Sequence, residues 1–478
     1  MNENASAYRN ALQAATNYAL EHIAPRHELP VAPTVALEDI RRRLDVPLGE
    51  GGTDPVAVLD ELVKAVEGGI ARTTSGRFFG WVIGGALPAA LAADWMTSAW
   101  DQNAAMYAAS PAAAVVEEIA GRWLKELLNV PASASFAFVT GCQMAHVTCL
   151  AVARHALLAS RGWDHNQEGL SGAPAVRILT STELHGTTAR AVRLLGLGER
   201  HIEKLPIDHE GRLLAAALLA ALVREPERPT IVVLQAGDLN IGAFDDFATL
   251  IPLAKKHGAW VHIDGAFGLW AAASPRHRHL LAGAELADSW TTDGHKWLNV
   301  PYDSGYAFVA DSAAHRATMS QSASYIPAAT EARDEIDWTP EFSRRARGFA
   351  TYAALRQLGR AGVAELVARC CAHAAALVSR IGALPGAEML WPAQINQGLV
   401  RFLDPRTGAS EADHDACTDR VIAAILASGE ALFSGTTWRG RRAMRVSVSN
   451  WQTSAEDVDR VVACIAKILE REQSAATA

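Results

Sequence analysis

The stretch "TTDGHKWLNV", residues 291–300, sets Lys296 directly before Trp297 and a few residues after Trp290. Lysine ordinarily keeps its ammonium in water, so a lysine held between bulky apolar neighbours needs a reason. About thirty residues upstream stands "WVHIDGAFG", residues 260–268, an apolar run that ends on Asp264 and a glycine. A short, continuously apolar run closed by turn residues reads as a strand buried on both faces. Working outward, the same texture recurs in "SFAFVT" (135–140), "AVRILTS" (175–181), "TIVVLQA" (230–236) and "GYAFVA" (305–310). Apolar-periodic helices such as "AHVTCLAVARHALLAS" and "LLAAALLAALVRE" lie between several of them. That alternation predicts an α/β fold: a mostly parallel central sheet with helices on both faces.

The flanks differ. Residues 1–85 read as a helical segment broken by "IAPRHELPVAPTV", with no strand pattern, and too thin to build a core alone. The large domain is expected over 86–350. A long helical stretch follows "SRRARGF" (343–349), and then "GLVRFLD" (398–404) and "AMRVSVSN" (443–450) alternate with helices. Residues 351–478 are therefore expected to form a small α+β domain.

Composition narrows the function. Half of the 478 residues are hydrophobic, yet no apolar run reads as an uninterrupted span of a bilayer. The opening "MNENASAYRNALQ" lacks a basic n-region and an apolar h-region, so a cytoplasmic protein without membrane partners is expected. A net charge of −8, with "IRRRLD" and "RGRRAMR" as interrupted basic runs, argues against nucleic acid. The six cysteines form no C-x-x-C pair and sit mostly in apolar helical runs, which reads as buried free thiols. "RHRH" (276–279) has no partner motif and reads as a solvated loop, so no metal site is expected.

In open α/β sheets, ligands collect at the carboxyl ends of the strands. Four segments bring polar residues there: "SFAFVTGCQMAH", "ILTSTELHGTTAR" with His185, "WVHIDGAFG" with Asp264, and "SWTTDGHKW" with His295 and Lys296. Taken singly, each has a bland reading as a common turn, a core histidine, a cap or a snorkelling lysine. Taken together they match one chemistry. Pyridoxal phosphate needs a lysine for a Schiff base, a carboxylate to keep its ring nitrogen protonated, a helix N-terminus for its phosphate and an aromatic group over its ring. A protonated ring nitrogen makes the ring an electron sink for a carbanion at the substrate's Cα.

On these motifs the chain resembles the group II pyridoxal-phosphate-dependent amino acid decarboxylases, the aromatic-L-amino-acid and glutamate decarboxylase family. The likeness also runs through "RFFGWVIGGALPAALAADW", "ASPAAAVVEEIAGRWLKELLNVP", "NIGAFDD", "DGHKWLNVPYDSG", "SRRARG" and "MRVSVSNWQTSAEDVD". The resemblance implies the aspartate aminotransferase fold, a homodimer, and decarboxylation of an L-amino acid, with aromatic amino acids among the candidates, to amine and CO₂. It implies that Lys296 is the Schiff-base lysine, that Asp264 pairs with the pyridinium nitrogen, and that His185 and Ala266 cover the two ring faces. It also implies that His295 and the turn Gly141, Cys142 and Gln143 meet the phosphate, and that Asn240 lines the same edge. Phe79, Trp81 and Gly84 become the expected substrate pocket.

Two departures stand out. Cys142 and Gln143 occupy a phosphate turn where the family usually has small or hydroxyl residues. Many members carry a loop tyrosine that protonates the substrate carbon after CO₂ leaves. Here that position falls near Glu335 in "TEARDEIDWTPEF", within a charged 322–342 segment expected to be a lid, and the nearest tyrosine is Tyr325. The alternatives are an aldehyde synthase, another Cα lyase, or a non-catalytic regulatory homologue that kept the fold. The intact Lys296, Asp264 and His185 speak against the last.

Overall fold

The computed structural model describes residues 3–23, 29–321 and 333–477. Its strands, in chain order, are β1 (Ser135–Val139), β2 (Arg177–Ser181), β3 (Ile202–Leu205), β4 (Thr230–Gln235), β5 (Trp260–Asp264) and β6 (Ser289–Asp293). They continue as β7 (Gly305–Val309), β8 (Ala387–Trp391), β9 (Gln397–Phe402), β10 (Ser434–Trp438) and β11 (Arg441–Ser447). The first seven form one sheet in the order β1-β7-β6-β5-β4-β2-β3. The β2–β3, β2–β4, β4–β5 and β5–β6 pairs are parallel, whereas β7 runs antiparallel to both β1 and β6. The carboxyl ends of β1, β2, β4, β5 and β6 therefore share one edge.

Side-chain alternation along these strands feeds two apolar layers. Ala137, Val139, Ile178, Ile231, Val233 and Val309 pack with Ala145, Cys149 and Val152 of helix Cys142–Ala159. Phe136, Phe138, Leu179, Val232, Leu234 and Ile263 point the other way, into the larger core beneath helix Phe247–Lys256 and helix Gly348–Gly382. Burial of each such side chain is worth about 1.5–3 kcal/mol, so neither face can be left wet. Trp290 and Trp297, the anchors around the lysine, are each only 1% exposed.

β8 to β11 make a separate antiparallel sheet in the order β10-β11-β9-β8 near the C-terminus. Helix Gly348–Gly382 runs across the expected 350/351 boundary. Ala350, Ala354 and Leu355 are buried on one side of a break at Gly359, and Val363 to Ile381 on the other. Gly359 has φ +60°, a left-handed value that glycine adopts without a Cβ penalty. By length and composition this is the one described helix able to cross a membrane, an exception to the reading of the apolar runs. Its apolar face lies instead in the core, against Phe402, Met444 and Val446. The first three helices, Glu3–Ile23, Leu37–Leu44 and Pro55–Val66, pack on one another and bury little.

Candidate active site

At the carboxyl edge of the large sheet lies a cavity of ≈ 450 Å³, within the usual range for small-molecule sites. Its walls include Gly141, Cys142, Gln143, His185, Asp264, Ala266, His295 and Lys296, drawn from four separate strand ends, together with Trp81. Three expected residues are placed elsewhere. Phe79 is fully buried and stacks on Phe433 at 5.1 Å, because it follows the chain inward into the core. Asn240 turns away, donating to Glu183 (3.2 Å) and accepting from Thr436 (2.7 Å). Gly84 lies behind the lysine rather than in the cavity: a Cβ there would sit 1.9 Å from the Lys296 carbonyl oxygen. The segment's contributions to the wall are Trp81, Val82 and Ile83.

Asp293, which the sequence reading passed over, organises the lysine side. Its carboxylate accepts from the Cys142 backbone N–H at 2.6 Å, holds Lys296 Nζ at 3.0 Å and lies 3.5 Å from His295 Nε2. Burial, the largest single effect, would lower the Lys296 ammonium, but Asp293, Cys142 and Asp264 together outweigh it and the net shift is upward. Helix Cys142–Ala159 thus presents its N-terminus to the cavity with one N–H already bound to Asp293. Gly141 is required because a Cβ there would meet His295 Cε1 at 2.9 Å.

His295 accepts from the Ser304 N–H through Nδ1 (3.1 Å) and stacks on Tyr302 at 4.3 Å. Burial pushes its pKa down, so it is neutral with its proton on Nε2, facing Asp293 and the cavity. His185 caps helix Gly186–Leu194: its Nδ1 accepts from the Thr187 N–H at 3.2 Å, and burial lowers its pKa as well. A neutral imidazole at the wall suits stacking on a planar ring.

Asp264, at the end of β5, is 8% exposed. It accepts from Ala266 N–H (3.2 Å) and Thr188 Oγ1–H (3.3 Å), and His146 Nε2 lies 3.4 Å away. Burial would raise its pKa, but the His146 ring N–H aimed at it and the Lys296 ammonium hold the carboxyl below the usual carboxylate range. It is an anion at any physiological pH. Arg445, from β11, brings a cation to the same cavity; its Nη1 donates to the Leu239 carbonyl at 3.0 Å and its buried Nε has no hydrogen-bond partner. Burial lowers its guanidinium to about 10, which leaves it charged at neutral pH.

Glu335 does not line this cavity. It is buried beside Arg333 (3.0 Å), close to the pair in which Arg344 grips both Glu117 oxygens at 3.0 Å. Tyr325 and most of the expected lid lie outside the described residues.

The side chains present fit pyridoxal phosphate. An amine and a carboxylate face one cavity from neighbouring strand ends, a flat neutral imidazole lines it, and Gln143 Oε1 is buried there without a partner. Asp293 and His146 carry signals that were legible, since both stand inside the motif strings. Arg445 comes from a distant strand, and nothing in its local sequence marks it.

Comparison with known proteins agrees. The pyridoxal-dependent decarboxylase conserved domain matches residues 38–403. An aromatic-L-amino-acid decarboxylase of Bacillus atrophaeus is 26% identical over 95% of this chain and 94% of its own. An L-2,4-diaminobutyrate decarboxylase of Rhizobium meliloti is 28% identical over 97% and 92%. Among solved structures, Oryza sativa TDC with PLP and tryptamine superposes with a TM-score of 0.91 at 23% identity, covering 99% of both chains. With a matching domain over most of its length, this chain belongs to the pyridoxal-dependent decarboxylase family, and pyridoxal phosphate is its cofactor.

Proposed function

We propose that the enzyme removes CO₂ from an L-amino acid and releases the amine, with aromatic amino acids the first candidates. The observation that carries this reading is the single cavity lined by Lys296, Asp264 and His185, with the buried Arg445 cation in its wall. When bound, pyridoxal phosphate supplies the electron sink that accepts the bonding pair left by CO₂. The chain supplies the rest. Asp264 fixes negative charge where the ring nitrogen must keep a proton. His185 holds the ring plane. Asp293 and neutral His295 keep Lys296 in place. Arg445, charged and incompletely paired, can orient a substrate carboxylate, while Trp81, Val82, Ile83 and Phe267 offer apolar wall to a side chain.

The position of Glu335 favours a second reading. With that carboxyl engaged by Arg333 and outside the cavity, the reacting carbon lacks the expected acid among the described residues. An oxygen-consuming outcome that yields aldehyde is then the alternative. The test is a panel of L-amino acids with CO₂, amine, aldehyde and peroxide measured together, with and without oxygen. Amine equal to CO₂ supports decarboxylation, aldehyde with peroxide supports the alternative, and no CO₂ from any amino acid overturns both. Borohydride reduction and peptide mapping should place the pyridoxyl group on Lys296.

The working unit is proposed to be a homodimer. Leu12, Leu20, Leu37, Leu44 and Leu62 are exposed on the first three helices, and helix Leu37–Leu44 buries no residue. Clustered exposed apolar side chains of this kind call for a partner surface. Sedimentation at micromolar concentration should show a dimer; an active monomer would contradict it.

A further inference from the structure

Behind Asp264, away from the cavity, a line of buried polar side chains runs along one face of β5, beneath helix Cys142–Ala159. Trp260 Nε1 lies 3.0 Å from Ser289 Oγ, Ser289 Oγ 2.9 Å from His262 Nδ1, and His262 Nε2 3.0 Å from His146 Nδ1. His146 Nε2 then lies 3.4 Å from both Asp264 Oδ2 and Thr188 Oγ1. His146, His262 and Ser289 have no exposed surface. Polar groups in such a dry place are costly unless every one is paired.

The two ends, together with a single proton on each imidazole, fix the direction of the line. An indole N–H can only donate and an ionised carboxylate can only accept. With both imidazoles neutral, one assignment makes every contact. Trp260 donates to Ser289, the Ser289 hydroxyl to His262 Nδ1, His262 Nε2–H to His146 Nδ1, and His146 Nε2–H toward Asp264 and Thr188. Burial drives His262 down to about 3, in keeping with a neutral ring.

We propose that Trp260, Ser289, His262 and His146 are positioning residues that act through Asp264, a one-way hydrogen-bond line that keeps its carboxylate a weak base so that the shared proton stays on the cofactor's ring nitrogen. The inference rests on the reading of Asp264 as the ring-nitrogen partner. A donor aimed at a carboxylate lowers its proton affinity. The line also locks the tautomer of His146, which otherwise could turn a lone pair toward the anion.

The test begins with isotope-labelled histidine and proton–nitrogen correlation spectra of the holoenzyme and the apoprotein. His146 and His262 are expected to be neutral and protonated on Nε2 in both. A doubly protonated ring at either position, or a proton on Nδ1 alone, overturns the proposal. Ser289→Ala removes the donor to His262 Nδ1; it should abolish the single-tautomer signature and weaken pyridoxal phosphate binding by the apoprotein about tenfold. Unchanged affinity and tautomers in this variant also overturn it. Should Ser289→Ala fail to fold by circular dichroism, Trp260→Phe should still weaken binding, by a smaller factor, and unchanged affinity there overturns the proposal. A protein that took up no pyridoxal phosphate would defeat the cofactor reading, yet the apoprotein's histidine tautomers would still decide the direction of the line.

Discussion

Asp264→Asn is the substitution whose cost follows most directly from the geometry. The Asp264 carboxylate faces three donors: Ala266 N–H, Thr188 Oγ1–H and, at 3.4 Å, His146 Nε2. An amide offers one acceptor oxygen and an NH₂ group. If its oxygen stays with Ala266, the NH₂ can donate to a rotated Thr188 hydroxyl but meets the His146 N–H head-on; if it flips, the NH₂ meets the Ala266 N–H. One buried donor is left unpaired either way, a penalty of about 1–3 kcal/mol, and the charge-assisted bond to the ring nitrogen, about 1.5–3 kcal/mol, is lost as well. If both losses fall on the transition state, turnover drops by about 10²–10⁴. The assay is single-turnover CO₂ release from protein whose cofactor content is fixed by absorbance. The variant still takes up the cofactor through Lys296 and the phosphate turn, but more weakly than the wild type, so it is assayed at saturating pyridoxal phosphate. Near-wild-type turnover at full occupancy would refute the assignment of Asp264.

Lys296 is held protonated by Asp293, so capture of pyridoxal phosphate by the apoprotein should speed up as pH rises, and Asp293→Asn should move that rise to lower pH; stopped-flow absorbance reads both, and a flat profile in the wild type refutes the pairing. Arg344→Met takes from buried Glu117 the guanidinium that grips both its oxygens, and chemical denaturation should show a loss of about 3–5 kcal/mol that the double variant with Glu117→Leu restores only in part, because Arg344 also donates to the Ala104 and Phe138 carbonyls. Gly84→Ala drives a methyl group into the Lys296 carbonyl and should cost cofactor affinity with little change in overall fold, as measured by cofactor titration and circular dichroism.

The parts of the fold legible in the sequence were those whose burial writes a pattern. Strands with an apolar, β-branched middle, such as residues 231–234 of β4 or Trp260, Val261 and Ile263 of β5, announced themselves, and so did the helices between them. β6 did not, although it is central and wholly buried, because Ser289, Thr291, Thr292 and Asp293 carry polar atoms that the sheet and its loops satisfy. The edge strands β3, β8 and β10 are half-wet and short, which leaves little alternation to read. In the site, motif strings located residues that lie within a few positions of each other. Whether a side chain turns toward the cavity, as Trp81 does, or into the core, as Phe79 does, depends on backbone direction, which spacing does not encode. Arg445 was out of reach because it arrives from the second sheet.

The place of β7 has a consequence for how the chain is made. β1 is the first strand of the large sheet to be synthesised, yet its partner there is β7, the last of the seven to emerge. Until residues 305–309 leave the ribosome, β1 has no neighbour to join, and the turn that follows it cannot meet Asp293, which lies 151 positions beyond Cys142. Long-range closure of this kind is slow and leaves an apolar strand waiting in the open. Cofactor capture is therefore the end point of the large domain's assembly: a nascent or truncated chain that stops short of β7 has its aspartate and its lysine but no cradle between them. Because a ligand stabilises only the form that binds it, the cofactor rewards the chain for having brought its first strand home.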